Sequence, residues 1–82
     1  MSIIYNTDEK NIIGDRVREA RTKYKPKITQ IELVSRLQVR GLNMEKTSVS
    51  KIENKTRSVT DKELVAIAES LNVSINWLLG KE

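Results

Sequence analysis

The fold is decided by residues 28–57, ITQIELVSRLQVRGLNMEKTSVSKIENKTR. Apolar residues recur there at helical spacing and predict two short helices joined by a turn. The second helix carries Lys, Thr, Ser and Asn side chains on its outer face instead of an ordinary mixture of surface residues. A helix that enters the major groove of DNA needs such a face, so DNA binding is the leading hypothesis for the function.

The first helix of this stretch has a recognisable beginning. Thr29 and Glu32 form the pattern of a capping box. In such a box the Thr hydroxyl accepts from the Glu backbone N–H, and the Glu carboxylate accepts from the Thr N–H. The helix is expected to end near Gln38. Its apolar stripe consists of Leu33, Val34 and Leu37.

The turn and the second helix follow. The pattern predicts a turn over residues 39–44, in which Gly41 takes the left-handed conformation that a tight corner needs. The next helix is predicted over about residues 45–54, with Val49 and Ile52 facing inward. Because a compact motif has a turn of about three or four residues, this longer turn predicts either a longer preceding helix or a bulged loop. The outward positions are Lys46, Thr47, Ser50, Lys51 and Asn54.

One helix is predicted before this stretch. Asn11 is its candidate cap, and Pro26 ends it because the residue before a proline avoids helical geometry. Its apolar positions are Ile12, Ile13, Val17, Ala20 and Tyr24. Residues 1–10 are expected to form a flexible arm, whose apolar residues 3–5 are either disordered, part of the core or part of an interface. The basic residues 25–27 either add a contact to DNA or only lengthen the loop.

Two helices are predicted after this stretch. A second capping box, Thr60 with Glu63, begins the fourth helix. The fourth helix has an apolar stripe of Leu64, Ile67, Ala68 and Leu71, helped by Val65. Ser74 caps a short fifth helix over residues 75–79, which Gly80 closes.

Length and composition limit the size of the core. The 82 residues are expected to form one domain covering residues 1–82, and the apolar fraction of 38% is below the globular average. Phe is absent and only one Trp and two Tyr occur, so the core is predicted to be aliphatic. A domain of this size is marginally stable alone, and a dimer partner would bury further surface.

The charges are unevenly distributed along the chain. Residues 15–27 contain six Lys or Arg and two Asp or Glu, and residues 40–57 contain five and two. Residues 58–82 contain two basic and four acidic residues. This predicts a basic side that neutralises phosphates, although charge alone is equally consistent with an ordinary solvated surface.

The residue types that are missing exclude several classes of site. The sequence contains no Cys and no His, which rules out disulfides, the common zinc sites and the usual nucleophile–base pairs. No phosphate-cradling glycine loop is present, so we predict no enzyme activity, no metal and no cofactor. No apolar run approaches the roughly 20 residues that span a membrane, and no secretory signal is evident. The cytoplasm is the expected location.

Four motifs, in order along roughly residues 12–80, resemble phage repressor and Cro-type helix-turn-helix domains of the XRE family. They are Ile13-Gly14-x-Arg16-Val17-Arg18, Thr29-Gln30-x-Glu32-Leu33, Ser48-Val49-Ser50-Lys51-Ile52-Glu53-Asn54 and Leu71-Asn72-Val73-Ser74-Ile75-Asn76-Trp77-Leu78-Leu79. Each motif alone is a weak signal, and their order makes the resemblance strong. It implies an all-α, compact, five-helix lambda-repressor-like domain. Its helix-turn-helix spans residues 29–54, and its third helix enters the major groove.

The resemblance also implies which residues contact DNA. The base contacts map to Lys46, Thr47 and Lys51, with Ser50 close by. The phosphate contacts map to Gln30, Asn54, Lys55, Thr56 and Arg57. The chemistry of these side chains agrees, since Lys donates to guanine O6 and N7, Thr bonds a base or covers a thymine methyl group, and amides donate to phosphate oxygens.

Several of these residues have a second interpretation. Gln30 is otherwise an exposed residue of a capped helix, and Lys46 and Lys51 are otherwise solvated lysines. The two lysines are about 140° apart around a helix, so they cannot both occupy the centre of one narrow face. In related domains an Arg of the first helix meets a Glu of the third. Here this implies a buried structural ion pair between Arg21 and Glu53, the alternative being an exposed Glu53.

The fifth helix supplies the candidates for a dimer interface, because in many relatives it contributes to subunit contacts. The candidates are Trp77, Leu78 and Leu79. Trp77 is alternatively a plug in the core beneath the fourth helix. Leu78 and Leu79 are adjacent and face different directions, so one packs inward while the other is free to meet a partner.

We therefore expect a sequence-specific DNA-binding transcription regulator, a repressor that acts as a homodimer on a pseudo-palindromic operator in double-stranded DNA. Its two recognition helices would lie about 34 Å apart in successive major grooves. The alternative is an antitoxin or adaptor whose main role is to bind a partner protein, since the same fold occurs in such proteins.

Overall fold

A computed structural model describes residues 8–82 and shows five α-helices in them. The helices are α1 (Gly14–Lys23), α2 (Gln30–Val39), α3 (Lys46–Glu53), α4 (Asp61–Leu71) and α5 (Ile75–Leu78). These described residues contain no strand, so the predicted all-α, five-helix fold is confirmed. Residues 1–7 lie outside the described residues, and with them the predictions for Ile3, Ile4 and Tyr5.

The core is aliphatic, and every helix contributes to it. Helix α4 contacts α1, α2 and α5, while α3 packs on α1 and α2. The most completely buried apolar side chains are Val17, Ile28, Leu33, Leu37, Val49, Ile52, Ile67, Leu71 and Leu78. Fully burying one such side chain contributes about 1.5–3 kcal/mol, so these few residues supply most of the driving force for folding.

The turn between α2 and α3 differs slightly from its predicted position. Helix α2 runs to Val39, one residue beyond the expected end, and α3 begins at Lys46 after Glu45 as its N-cap. The Gly41 N–H donates to the Gln38 carbonyl, and the Leu42 N–H to Leu37. Gly41 has a φ of 81°, as predicted, so α2 closes with a Schellman motif. The connection therefore stays six residues long because it contains this closing motif.

Two predicted core positions are wrong. Ile12 is 58% exposed because its neighbour Ile13, which is 3% exposed, occupies the inward position four residues before Val17. Val65 is 43% exposed, since it lies two positions from Ile67 and therefore on nearly the opposite side of α4. The buried face of α4 also includes Ala66, which the apolar stripe did not contain.

The two predicted capping boxes form to different extents. At α4 the box is complete, with the Thr60 hydroxyl accepting from the Glu63 N–H and the Glu63 carboxylate accepting from the Thr60 N–H. At α2 the Thr29 hydroxyl accepts from the Glu32 N–H at 3.0 Å. The Glu32 carboxylate then accepts from that hydroxyl instead of the Thr29 N–H, so the box prediction is only half correct there.

The end of the predicted arm is attached to the domain. The Lys10 N–H donates to the Lys55 carbonyl at 2.9 Å, and the Glu9 carboxylate pairs with the Lys55 ammonium at 3.3 Å. Residues 8–10 therefore differ from the expected flexible arm, because two kinds of bond fix them to the loop after α3. None of the helices in residues 8–82 is long and apolar enough to cross a membrane.

We expect Ser70→Ala to stabilise the protein. The Ser70 hydroxyl is buried and has no hydrogen-bond partner among the described residues, and burying a hydroxyl without a partner costs about 1–3 kcal/mol. Ala is also the better helix former. The free energy of unfolding, measured by urea denaturation, should rise by about 1 kcal/mol.

Ser74→Ala is the matched control for this substitution. The Ser74 hydroxyl accepts from the Trp77 N–H and caps α5, so its loss should lower the free energy of unfolding by about 1 kcal/mol. If the two substitutions changed the free energy of unfolding equally, the prediction that the unpaired Ser70 hydroxyl is destabilising would be wrong.

Candidate nucleic-acid interface

Helix α3 presents a polar face to solvent. The side chains of Lys46, Thr47 and Lys51 are exposed, while Val49 and Ile52 are buried on the other side of the helix. The Thr47 hydroxyl makes only a long bond of 3.5 Å to the Glu45 carboxylate. Three predicted base-contacting side chains are thus brought to one exposed helix with their hydrogen-bonding groups accessible.

A buried carboxylate holds this helix in place. The Glu53 side chain at the end of α3 is only 1% exposed. Arg21 of α1 donates to it twice, from Nε at 2.8 Å and from Nη2 at 3.0 Å. Arg18 donates from Nε at 3.3 Å, and Gln30 of α2 donates from Nε2 at 3.1 Å. The angle of α3 is therefore fixed by polar contacts from two other helices.

Gln30 extends this network to the middle of α3. Its Oε1 accepts from the Ser50 hydroxyl at 2.9 Å, while its Nε2 donates to Glu53. The amide thus bridges two residues of α3 and joins the start of α2 to that helix. Ser50, one of the predicted base contacts, is half-buried and donates its hydroxyl inside the protein, unlike its exposed neighbour Lys51.

The network keeps Glu53 ionised. Burial alone would raise the pKa of the Glu53 carboxyl, because it disfavours the charged form. The hydrogen bonds from Arg21 and Gln30 and the positive charge of Arg21 outweigh burial, so the pKa of Glu53 lies below its ordinary value. The ionised carboxylate is the form that the folded protein stabilises.

The segment after α3 closes the helix by a left-handed residue. Lys55 has a φ of 63°, its N–H donates to the Ile52 carbonyl, and the Thr56 N–H donates to the Lys51 carbonyl. These bonds form a Schellman motif with a lysine at the position usually taken by glycine. Asn54, just before Lys55, has an exposed side chain whose Oδ1 accepts from Arg18 Nη2 at 3.0 Å.

Lys55 and Arg57, two of the predicted phosphate contacts, are already paired with carboxylates. Lys55 Nζ lies 2.9 Å from Asp15 and 3.3 Å from Glu9, and bonds to these two groups raise the pKa of Lys55. Arg57 donates from Nη1 and Nη2 to the two oxygens of Glu63, at 3.1 and 3.0 Å. Neither cation is presented to solvent unpaired. The Arg57 pair instead fixes the loop between α3 and α4 to the start of α4.

The pairing of Arg57 also affects Glu63. Burial raises the pKa of the Glu63 carboxyl, and the bonds from Arg57 and Thr60 more than compensate, so its pKa is lowered overall. Thr56, the remaining predicted phosphate contact, is exposed, and its hydroxyl donates to the Lys51 carbonyl at 3.3 Å.

The three candidates for a dimer interface are placed differently. Leu78 is completely buried in the core of its own chain, so it is not presented at the surface, which corrects its assignment as an interface candidate. Leu79 and Trp77 are half-buried. The Trp77 ring lies under the Arg16 guanidinium at 4.8 Å, and Arg16 Nη1 donates to the Trp77 carbonyl at 2.9 Å.

Arg16 and Arg18 have roles that were not predicted from the sequence. Arg18 precedes Arg21 by three residues, a spacing that places both on one side of α1, so this spacing is a signal that Arg18 also reaches Glu53. Arg16 contacts Trp77, which is 61 positions away, and no local pattern in the sequence predicts such a contact.

We expect Glu53→Gln to lower the free energy of unfolding at neutral pH. The same substitution should make the free energy of unfolding depend less on pH in the acidic range. Because the pKa of Glu53 is lowered by folding, its contribution is complete above the unfolded-state pKa and is lost as the pH falls through the folded-state pKa. The substitution leaves Arg21 with a poorer partner and should cost roughly 3 kcal/mol at pH 7.

The measurement is urea denaturation of both proteins between about pH 7 and pH 3. The free energy of unfolding should decline less steeply below about pH 5 in Glu53→Gln than in the unsubstituted protein. Parallel declines would show that Glu53 titrates alike in the folded and unfolded states, contrary to this argument.

Comparison with known proteins places this arrangement in a family. A family model described as Helix-turn-helix matches residues 17–78, which include all of α2–α5 and most of α1. No curated protein and no solved structure matches the chain. The match covers most of the chain and agrees with the all-helical fold and the exposed face of α3. The chain belongs to the repressor and Cro-type (XRE) helix-turn-helix family of DNA-binding transcription regulators.

Proposed function

We propose that the protein is a sequence-specific repressor that binds a pseudo-palindromic operator as a homodimer. The observation that carries this proposal is the division of roles on α3. Lys46, Thr47 and Lys51 are exposed, while Ser50 and Glu53 are held by contacts to other helices. A rigidly held helix with accessible donors is suited to direct readout of base edges, because the contacts need no rearrangement of the helix.

The base contacts are assigned to the exposed lysines and threonine. A Lys ammonium donates to the O6 and N7 acceptors of guanine, and a Thr side chain pairs with a base or covers a thymine methyl group. Lys46 lies in the first turn of α3 and Lys51 in its last turn. Because they point about 140° apart, we assign the central base contact to Lys51 and a peripheral contact to Lys46. Ser50 is kept as a secondary candidate, since its hydroxyl already donates to Gln30.

The phosphate contacts are assigned first to Gln30 and Asn54. One of the two N–H groups of the Gln30 amide remains for a phosphate after the bond to Glu53, and the start of α2 offers further backbone donors. The Asn54 amide group accepts from Arg18 through its oxygen and keeps its two N–H groups for a ligand. Thr56, two residues after Asn54, is a further candidate. Lys55 and Arg57 add positive charge but must share it with their carboxylate partners.

Dimerisation is assigned to the surface beside α5. Leu79 is half-buried and lines a groove of about 410 Å³ together with the exposed Ile12. Lys10 and Asp61 carry opposite charges at the same groove. A two-fold interface must be complementary to itself, and an apolar groove flanked by one charge of each sign meets that requirement. Trp77 is the second candidate, although Arg16 covers its ring.

Repression follows from the position of the operator. A dimer that covers a site overlapping a promoter excludes polymerase from it. We propose that residues 1–82 act as one DNA-binding domain in this dimer, with residues 29–54 as the helix-turn-helix. Transcription in vitro from a promoter that contains the selected site tests the sign of regulation, and increased transcription would contradict repression.

The test of sequence-specific binding is selection from a random duplex library with purified protein at near-physiological salt. Enrichment of a two-fold symmetric site with half-sites about one helical turn apart would support the proposal. Weak binding that depends strongly on salt and enriches no sequence would overturn it, because only phosphate contacts would then remain.

We expect Lys51→Ala to reduce binding to the selected operator more than binding to random duplex DNA. Loss of a base contact should weaken operator binding by about tenfold, since a good base contact contributes about 1–3 kcal/mol of discrimination. Fluorescence anisotropy with both duplexes measures the ratio. Lys62→Ala removes the same charge from an exposed site on α4 and is the matched control. Equal losses on both duplexes would remove Lys51 from the set of base contacts.

We expect Leu79→Glu to convert the dimer to a monomer. A carboxylate placed at the apolar groove would be desolvated by the partner, whereas it stays hydrated in the monomer. Sedimentation velocity measures the oligomeric state. The matched control is Val65→Glu, which introduces the same charge at an exposed position of α4. If Val65→Glu dissociates the dimer and Leu79→Glu does not, the interface is the outer face of α4.

A further inference from the structure

The side chain of Asn11 uses its whole hydrogen-bonding capacity at the junction of α1 and α3. Its Oδ1 accepts from the backbone N–H groups of Ile13 at 3.0 Å and Gly14 at 2.9 Å. Its Nδ2 donates to the carbonyls of Ile52 at 3.1 Å and Arg57 at 2.9 Å. Two acceptor sites and two donors are what a neutral primary amide possesses, so no part of the group is unused.

These four bonds connect three separate pieces of the chain. The acceptor side bonds the N–H groups at the start of α1, but the N-cap residue is Ile13 and not Asn11, which corrects the predicted cap by two positions. The donor side reaches across more than forty residues to the last turn of α3 and to the loop that follows it. One side chain therefore bonds the start of α1 through its amide oxygen, and it bonds the end of α3 and the following loop through its amide nitrogen.

The backbone packing around Asn11 leaves little freedom. A Cβ atom added to Gly14 would lie 2.3 Å from the Ile52 carbonyl oxygen and 2.8 Å from that of Glu53, so only glycine allows this approach. The Lys10 N–H donates to the Lys55 carbonyl at 2.9 Å. Residues 10–14 therefore lie directly against the end of α3, and Asn11 is at the centre of that contact.

The two carbonyls held by Asn11 lie on either side of three proposed phosphate contacts, Asn54, Lys55 and Thr56. Ile52 lies just before Asn54, and Arg57 lies just after Thr56. The segment between them contains Lys55 in the left-handed conformation, which residues other than glycine adopt only at a cost. Fixing both ends of such a short segment defines where the exposed Asn54 side chain lies relative to α3.

We propose that Asn11 is a positioning residue for DNA binding, which holds residues 53–56 so that Asn54 meets a phosphate. This inference rests on the proposed phosphate contact of Asn54. Asn11 itself is not proposed to touch DNA. It acts through the carbonyls of Ile52 and Arg57, and an amide is needed because it joins acceptors to donors in one planar group.

The decisive substitution is Asn11→Asp. An aspartate has the same shape and keeps the acceptors for the N–H groups of Ile13 and Gly14, but in its ionised form it has no donor for the carbonyls of Ile52 and Arg57. Asn11→Ser is the uncharged companion, since its hydroxyl can accept from the helix start but cannot donate to two carbonyls at once. An effect common to both variants cannot arise from the added charge.

The experiment is a double-mutant cycle with Asn54→Ala. Affinities for the selected operator are measured by fluorescence anisotropy for each Asn11 variant, for Asn54→Ala and for the combined variants. Unfolding curves recorded alongside identify the temperature at which every variant is fully folded. We expect each single substitution to weaken binding by about tenfold, the size typical of one hydrogen bond to a charged group.

The double variants should bind about as tightly as Asn54→Ala alone. Once the Asn54 side chain is removed, the loss of its positioning by Asn11 has no further effect on affinity. Additive losses, or unchanged affinity in the Asn11 variants, would overturn the inference, since a general loss of stability acts equally in both backgrounds. An Asn54→Ala variant that binds as well as the unsubstituted protein would overturn both the phosphate contact and the role of Asn11. Failure of the unsubstituted protein to bind any operator would instead overturn the proposed function.

Discussion

The carboxylate of Glu53 is the contact on which the position of α3 depends. It receives hydrogen bonds from Arg18 and Arg21 of α1 and from Gln30 of α2, so one buried group joins three helices. Apolar packing through residues such as Val49 and Ile52 supplies most of the energy, but the hydrophobic effect is non-directional. The hydrogen bonds to a buried carboxylate are directional, and a displacement that broke one would leave a buried polar group unpaired. The polar network therefore determines the direction in which the exposed face points.

Much of the fold could be predicted from the sequence, because the signals are local. Helix starts are encoded by Thr29, Thr60 and Ser74, each of which accepts from the backbone N–H three residues later. Apolar spacing identifies the inward positions of α2 and α3. The errors also have local causes. Ile12 is adjacent to Ile13, which takes the inward position, and Val65 is apolar but lies outside the buried face of α4. The Arg21–Glu53 pair came from the family resemblance and not from any pattern in the residues.

The candidate site could be predicted only in part. Helical periodicity identifies which residues of α3 face outward, and Lys46, Thr47 and Lys51 do so. It does not identify the polar side chains that are already hydrogen-bonded or ion-paired within the domain. Arg57 is bound to Glu63 and Lys55 to Asp15, and the second pair joins residues 40 positions apart. Such partners are determined by the packing of helices against each other. The number of cations available to bind phosphate is therefore smaller than the charge pattern of the sequence indicates.

The separation between the inner and outer residues of α3 has a consequence for how this protein can change. The residues that hold the helix, Ser50 and Glu53, are bonded within the domain, whereas the side chains of Lys46 and Lys51 are exposed. Substitutions at exposed positions usually alter the free energy of unfolding by less than about 0.5 kcal/mol. On the proposed reading of base edges by this face, new DNA preferences can arise by single substitutions there without a compensating change elsewhere. A lineage of such domains can diverge in the DNA it recognises while keeping one scaffold.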